Sequence, residues 1–257
     1  MSYLDAILLG ILQGLTEFLP VSSSGHLVIA QALLGVSDPG VTFEVLAHLG
    51  TLFSVVVYFR RRITRLIQSL YTPSMLEERR MLLLLIIGSI PAGLAGILFK
   101  DFFEAAFNDP LSTAAMLFVT GAILLATRFV HKGDKSVQWL SALIMGAGQA
   151  CAILPGISRS GSTIAAGMFV GVNPALAAEF SFLMAIPAIA GAAVLQIGDV
   201  LTADSAHLLP YLLGTVLSFL TGLVAVYAVL ATIRRGAFDY FAYYCFAAGA
   251  LALYLFL

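Results

Sequence analysis

QGLTEFLPVSSSGH, residues 13–26, sets one acid, three serines, two glycines and a histidine where two apolar stretches too short to cross a membrane meet. PGISRSGST, residues 155–163, does the same with an arginine at its centre. The flanking stretches, about 4–18, 26–36, 138–154 and 162–172, come in pairs around these two breaks. Six other apolar stretches, about 43–59, 80–99, 110–130, 175–196, 208–232 and 240–257, approach the ~20 residues that a hydrocarbon core requires of a helix. Irregular backbone at membrane depth survives only when buried in protein or lining a watery cavity. Each pair therefore reads as a re-entrant helical hairpin; the rival reading makes each pair one long kinked span.

Composition agrees with lipid as the solvent. Of 257 residues 60% are apolar and 11% charged, with mean hydropathy +1.00, whereas soluble domains carry about a quarter charged residues. The expected fold is an all-α integral membrane protein forming one membrane domain over residues 1–257. Asp109-Pro110 and Asn173-Pro174 read as N-caps with proline at the first helical position. Cys151 and Cys245 sit in apolar runs, so no disulfide framework is implied. With no basic stretch or cleavage pattern at the start, no removable signal peptide is expected.

The basic residues test the hairpin reading. With both pairs re-entrant, Arg60, Arg61, Arg62, Arg65, Arg79, Arg80, Arg128, Lys132, Lys135, Arg234 and Arg235 fall on one side, and only Lys100 on the other. Asp5, Asp38, Asp101, Glu104, Asp109, Asp199 and Asp204 lie opposite. Such a bias marks the basic side as cytoplasmic. Both termini and the mouth of the first hairpin then face outward, and the second hairpin opens from the cytoplasm.

The two breaks also resemble each other. Ser22-Ser23-Ser24-Gly25 matches Ser158-Arg159-Ser160-Gly161, and Phe43-Glu44 follows the first as Glu179-Phe180 follows the second. Residues 89–94 resemble 218–223, so 1–130 and 136–257 read as two copies, each a hairpin plus three spans. Three spans is an odd number, so the second copy is inverted. Broken helices at matching positions of inverted repeats point to a central binding site where the hairpin tips meet.

An unpaired charge inside a membrane is functional by default, and Glu17 and Arg159 are the charges within the hairpins. They could be a salt bridge that merely pins the hairpins, but that leaves the surrounding hydroxyls unexplained. Gln13 and Glu17 are four apart on one helix face and offer oxygens to a hard divalent cation; Gln13 alone would read as a helix–helix hydrogen bond. Ser22, Ser23 and Ser24 open a helix whose N–H groups and dipole suit an anion, one of them serving as its cap. His26, four residues after Ser22 and three after Ser23, could act as base to a serine or protonate a leaving oxygen. Arg159 matches two phosphate oxygens at once. Ser158, Ser160 and Thr163 add hydroxyls, and Gly156 and Gly161 allow close backbone approach. Glu44 and Glu179 read as dipole-capping acids, His48 as structural, His131 and His207 as interfacial. Gly10-x-x-x-Gly14 and Gly167-x-x-x-Gly171 read as close helix packing, and the Arg60–Arg62 run as topological.

Residues 13–26 and 155–163, with Phe43-Glu44-Val45 and EFSFL at 179–183, resemble the signatures of the bacterial undecaprenyl-diphosphate phosphatase family of the bacitracin-resistance type, over essentially the whole chain. The resemblance implies hydrolysis of the C55 isoprenoid diphosphate to its monophosphate, recycling the carrier lipid of peptidoglycan synthesis. It also implies bacitracin resistance, a site opening to the outer face of the bacterial plasma membrane, and a divalent cation, Mg²⁺ or Ca²⁺. It makes Glu17, Ser23, His26 and Arg159 the catalytic group, with Glu17 and Gln13 toward the metal. Ser22, Ser24, Ser158, Ser160, Gly161 and Thr163 would cradle the diphosphate. Gln13 stands where many members carry glutamate, which makes Glu17 the essential acid. Expected partners are the polyprenyl diphosphate and membrane lipids, with no nucleic acid and room for a homodimer. The residues leave open whether Ser23 or an activated water attacks. The rival class is an inverted-repeat secondary transporter or lipid flippase, which needs binding groups but no attacking group.

Overall fold

The computed structural model describes residues 1–36, 40–107, 109–130, 133–196, 198 and 208–257. Asp38, Lys132, Asp199, Asp204, His131 and His207 lie outside the described residues. Among the described residues the chain is helical throughout: α1 Tyr3–Phe18, α2 Ser23–Leu34, α3 Gly40–Tyr58, α4 Arg60–Gln68, α5 Leu76–Leu98, α6 Lys100–Ala106, α7 Pro110–Ala126, α8 Trp139–Cys151, α9 Arg159–Phe169, α10 Pro174–Leu195, α11 Leu208–Arg234 and α12 Phe241–Phe256. It is a multi-pass membrane protein. Five helices have the length and apolarity to cross a bilayer, and α3 joined to α4 makes a sixth, bent by 76° at the break between them. The spans fall where the sequence places them. Asp109 and Asn173 cap α7 and α10 as expected, each carboxylate or amide oxygen accepting from two first-turn amides, with proline next.

Two helices were not expected. α4 turns its apolar positions Ile63 and Leu66 into the core cluster while its arginines reach sideways. Arg62 pairs with Glu179 at 2.8 Å, Arg65 with Glu78, and Arg79 donates to the Ser69 carbonyl at 2.9 Å. Glu179 is thus an ion-pair partner rather than a dipole cap. The run at 60–62 ties the ends of α3, α5 and α10 together instead of only setting topology. α6 follows α5 directly at Phe99.

Both short pairs are hairpins. α1 packs on α2, and α8 on α9. Lys135, before α8, accepts from the Asn173 amide at 3.0 Å and donates to Gly171 at 3.2 Å, so the second hairpin leaves beside where it enters. At the base of the first, Ala6 and Leu9 share a cluster with Phe43, Ala47 and Tyr211. Gly171 corrects one expectation: with φ +82° it stops α9 in the left-handed conformation that suits glycine, rather than packing helices. Gly10 does pack. A Cβ there would lie 2.4 Å from the Gly214 carbonyl oxygen of α11, so the backbones touch in the manner of small-residue membrane interfaces. Gly10→Ala should therefore destabilise the protein by about 1–3 kcal/mol through overpacking, read as a lower unfolding temperature in detergent. Gly93→Ala, where a Cβ would meet nothing within 4 Å, should not.

Candidate active site

The two breaks meet. Ser22 has φ 68°, unusual for a non-glycine residue, and its hydroxyl caps α2 by accepting from the Gly25 amide at 3.2 Å. The same oxygen accepts from the Gly156 amide of the other break at 3.1 Å. In return, Ser160 donates to the Leu19 carbonyl at 3.1 Å. A Cβ on Gly25 would come within 2.9 Å of the Gly156 Cα, so this approach needs glycine at 25, while Gly156 has φ +91° and a Cβ there would lie 2.3 Å from the Thr113 carbonyl oxygen. Ser158 caps α9 through the Gly161 amide at 3.0 Å. The capping serines are therefore structural ties, and the first turns of α2 and α9 bring their unpaired amides and positive dipole ends to one place.

Glu17, 7% exposed, is the hub of that place. Its Oε1 accepts from Arg159 Nη2 at 2.5 Å, across 142 residues of chain. Its Oε2 accepts from the Ser23 hydroxyl at 2.5 Å and from Gln13 Nε2 at 2.9 Å. His48 Nε2 stands 3.6 Å from the same oxygen. Since a carbonyl only accepts, the 2.7 Å contact of His48 Nδ1 with the Glu44 carbonyl fixes a proton on Nδ1 and leaves Nε2 for Glu17. His48 is thus a site residue that sequence reading assigned to structure. Glu44, expected as a cap, accepts from Gln31 at 3.0 Å and lines the same cavity.

That cavity, about 930 Å³, is lined at its polar end by Glu17, Ser23, Ser24, His48, Gln149 and Arg159. Several groups around it have unmet hydrogen-bonding capacity. Arg159 Nη1, both amide atoms of Gln149 and Gln13 Oε1 are buried without a partner among the described residues. Gln149, 3% exposed, follows Gln13 by 136 residues, the offset that also relates Ser22 to Ser158; the repeat could have found it. A buried unsatisfied polar group costs on the order of 1–3 kcal/mol, more if charged. An oxyanion with acceptors on all sides would satisfy Arg159 and the Gln149 amide nitrogen together.

Other expected residues lie behind the wall. Thr163 is fully buried and bonds the Arg159 carbonyl at 2.8 Å and Ser181 at 2.5 Å, bracing α9 against α10. Ser160, also fully buried, ties to the first break as above, and the Gly161 amide donates to the capping Ser158 hydroxyl. His26 takes the opposite side of its turn: Nδ1 donates to the Ser22 carbonyl at 2.8 Å, and Nε2 lies 2.9 Å from the Tyr244 hydroxyl of α12, with the rings stacked. Among the described contacts none joins His26 to Ser23. The proton acceptor at Ser23 is Glu17, and His26 reaches the site only through the backbone of the turn.

The arrangement can bind an anion, accept a proton from a serine and disperse negative charge. Comparison with known proteins gives the same direction. The model of the family described as bacitracin resistance protein BacA matches residues 6–251. The chain is similar to an undecaprenyl-diphosphatase of Syntrophotalea carbinolica, 47% identical over 98% of both chains. It is also similar to those of Desulfatibacillum aliphaticivorans, 42% identical over 98% of both, and Salinibacter ruber, 40% identical over 99% of this chain and 100% of the other.

Proposed function

The chain belongs to the bacitracin resistance protein BacA family, and from that premise we propose that it hydrolyses undecaprenyl diphosphate at the cavity where its two hairpin tips meet. The products are undecaprenyl phosphate and inorganic phosphate, and the reaction returns the carrier lipid to cell-wall synthesis. The observation that carries the site is Arg159, which lines the cavity: one terminal guanidinium nitrogen holds Glu17, and the other is buried with no partner among the described residues. A transporter would need the anion site but not a serine hydroxyl directed at a buried carboxylate.

In this reading Ser23 Oγ attacks the terminal phosphorus and its proton passes to Glu17 Oε2, already its hydrogen-bond partner. The bond from that phosphorus to the bridging oxygen breaks, and the prenyl monophosphate departs. Water then hydrolyses the phosphoserine. Arg159 and the first-turn amides of α2 and α9 take up the charge that shifts during transfer. Ser24 and Gln149 line the pocket beside them. His48 faces the Glu17 oxygen that receives the proton. His26 positions the turn that carries Ser23, through the Ser22 carbonyl and Tyr244.

A divalent cation fits only as a complex with the diphosphate. Among the described residues no three His, Cys, Asp or Glu side chains form a metal cluster. Magnesium sites often combine one or two carboxylates with substrate phosphate oxygens, and Glu17, Glu44 and the unpartnered Gln13 Oε1 are the oxygens available. Bound there, the cation would neutralise phosphate charge. Residues 1–130 and 136–257 are read as inverted copies, with the cavity opening outward across the bacterial plasma membrane.

Purified protein in detergent should release phosphate from a prenyl diphosphate, lose at least about tenfold in rate with chelator, and regain it with Mg²⁺ or Ca²⁺. Absence of release under all three conditions would refute the phosphatase reading; release indifferent to chelator would remove only the cation.

A further inference from the structure

The cavity's apolar flank includes three glycines with open space beside them among the described residues. α5 and α10 line it with Gly93, Gly96 and Gly191. Among the described residues a Cβ on Gly93 or Gly191 would meet no heavy atom within 4 Å, and on Gly96 only the Ile153 Cδ1 at 3.9 Å. Other helix glycines serve close helix approach: added Cβ atoms at Gly50 and Gly146 would lie 2.4 Å from the Thr215 carbonyl oxygen and 2.2 Å from that of Gly88. Glycine within a helix is destabilising relative to alanine. What these three provide is an open crease in which a ligand can lie against backbone.

The crease does not end at the cavity. Between α4, α5 and α10 lies a second crevice of about 520 Å³, walled by Ile63, Leu66, Leu82, Ile86 and Leu183. Ser89, its only polar lining residue, donates its hydroxyl to the Leu85 carbonyl of its own helix at 2.8 Å, so the crevice offers nothing to a polar ligand. Ser89 and Pro187 line both spaces, so the apolar crevice adjoins the diphosphate cavity at these two residues. From Leu82 to Ile97 the α5 wall rises about 22 Å at 1.5 Å per residue.

We propose that the isoprenoid tail of the substrate runs along the α5–α10 crease, past Ser89 and Pro187, into the crevice beside α4. This inference rests on the phosphatase reading and adds to it a site that sets the preference for a long tail over a short one. The occupant is a chain tethered to the bound diphosphate, because the crevice adjoins that cavity at Ser89 and Pro187 and its walls are apolar. A membrane lipid's acyl chain could enter the same crevice, but it would give no chain-length preference.

The test compares C15 and C55 prenyl diphosphates in the same detergent. Ile86→Trp and Leu82→Trp each add bulk at the far crevice; Ile86 is 56% exposed, so its replacement need not disturb the core. Each folded variant should lose about tenfold in kcat/KM toward C55 through lost apolar burial and stay within about twofold of the parent toward C15. Gly93→Leu, near the polar end, should lower both. Should the C55/C15 ratio stay at the parental value in both tryptophan variants, the crevice belongs to ordinary lipid and the tail takes another path. Failure of the unaltered protein on both substrates would instead count against the phosphatase reading, which separates the two claims.

Discussion

Arg159→Ala is expected to lower kcat/KM by about 10³-fold or more, with KM and kcat both affected, and to destabilise the protein as well. The kinetic loss follows from the two jobs of the guanidinium. It meets the anion in the ground state and gains strength as charge shifts onto the transferring oxygens; arginines in that position are worth about 10³–10⁵ in phosphoryl transfer. The stability loss has a different origin. Removing the cation leaves Glu17 buried with its charge uncompensated, which costs about 3–5 kcal/mol where a buried pair is broken from one side. Removing both charges avoids that cost. The double variant Glu17→Gln with Arg159→Gln should therefore recover most of the unfolding temperature lost in Arg159→Ala and recover no activity. Thermal unfolding in detergent and steady-state phosphate release, measured on the same preparations, separate the two effects. If the double variant melts as low as the single one, the ion pair is not what the hairpin tips depend on. Activity within tenfold of the parent in Arg159→Ala would remove the arginine from the site.

That Glu17 and Arg159 meet was legible in the sequence because lipid leaves a charge few alternatives: each lies in an interrupted apolar pair, and each needs a partner. The breaks, the spans and the caps at Asp109 and Asn173 were legible for a similar reason, since length and apolarity decide them locally. The side of a turn is different. His26 lies within reach of either Ser23 or the far wall by spacing alone, and what decides is Tyr244, 218 residues away in sequence, which only packing brings near. His48 was hidden because a single histidine in an apolar span gives the same local pattern whether it faces a carboxylate or a neighbouring helix. Thr163 and Ser160 were misplaced by the opposite error: they belong to a polar motif, yet a helix start has an inner and an outer face, and theirs is the inner one. α4 escaped notice because its arginines dominate the composition of residues 60–68, while Ile63 and Leu66, spaced by three, carry its packing.

Ser23→Ala should lower kcat by about 10³-fold or more while leaving KM within a few fold, the pattern of an interaction made only in the transition state. The Ser23 hydroxyl is directed at the Glu17 carboxylate, so the ground state loses one hydrogen bond, whereas the reaction loses its nucleophile. Ser24→Ala, whose hydroxyl lies 3.3 Å from Ser22 and has no contact with Glu17 among the described bonds, should cost less than about tenfold. The serine route passes through a phosphoenzyme and displaces the phosphorus substituents twice, so a substrate made chiral at the terminal phosphorus should give phosphate with retained configuration. A single displacement by water, with Glu17 as its base, would invert it. Inversion together with a small kcat effect in Ser23→Ala would transfer the attacking role from the serine to water, while leaving Glu17 and Arg159 in place.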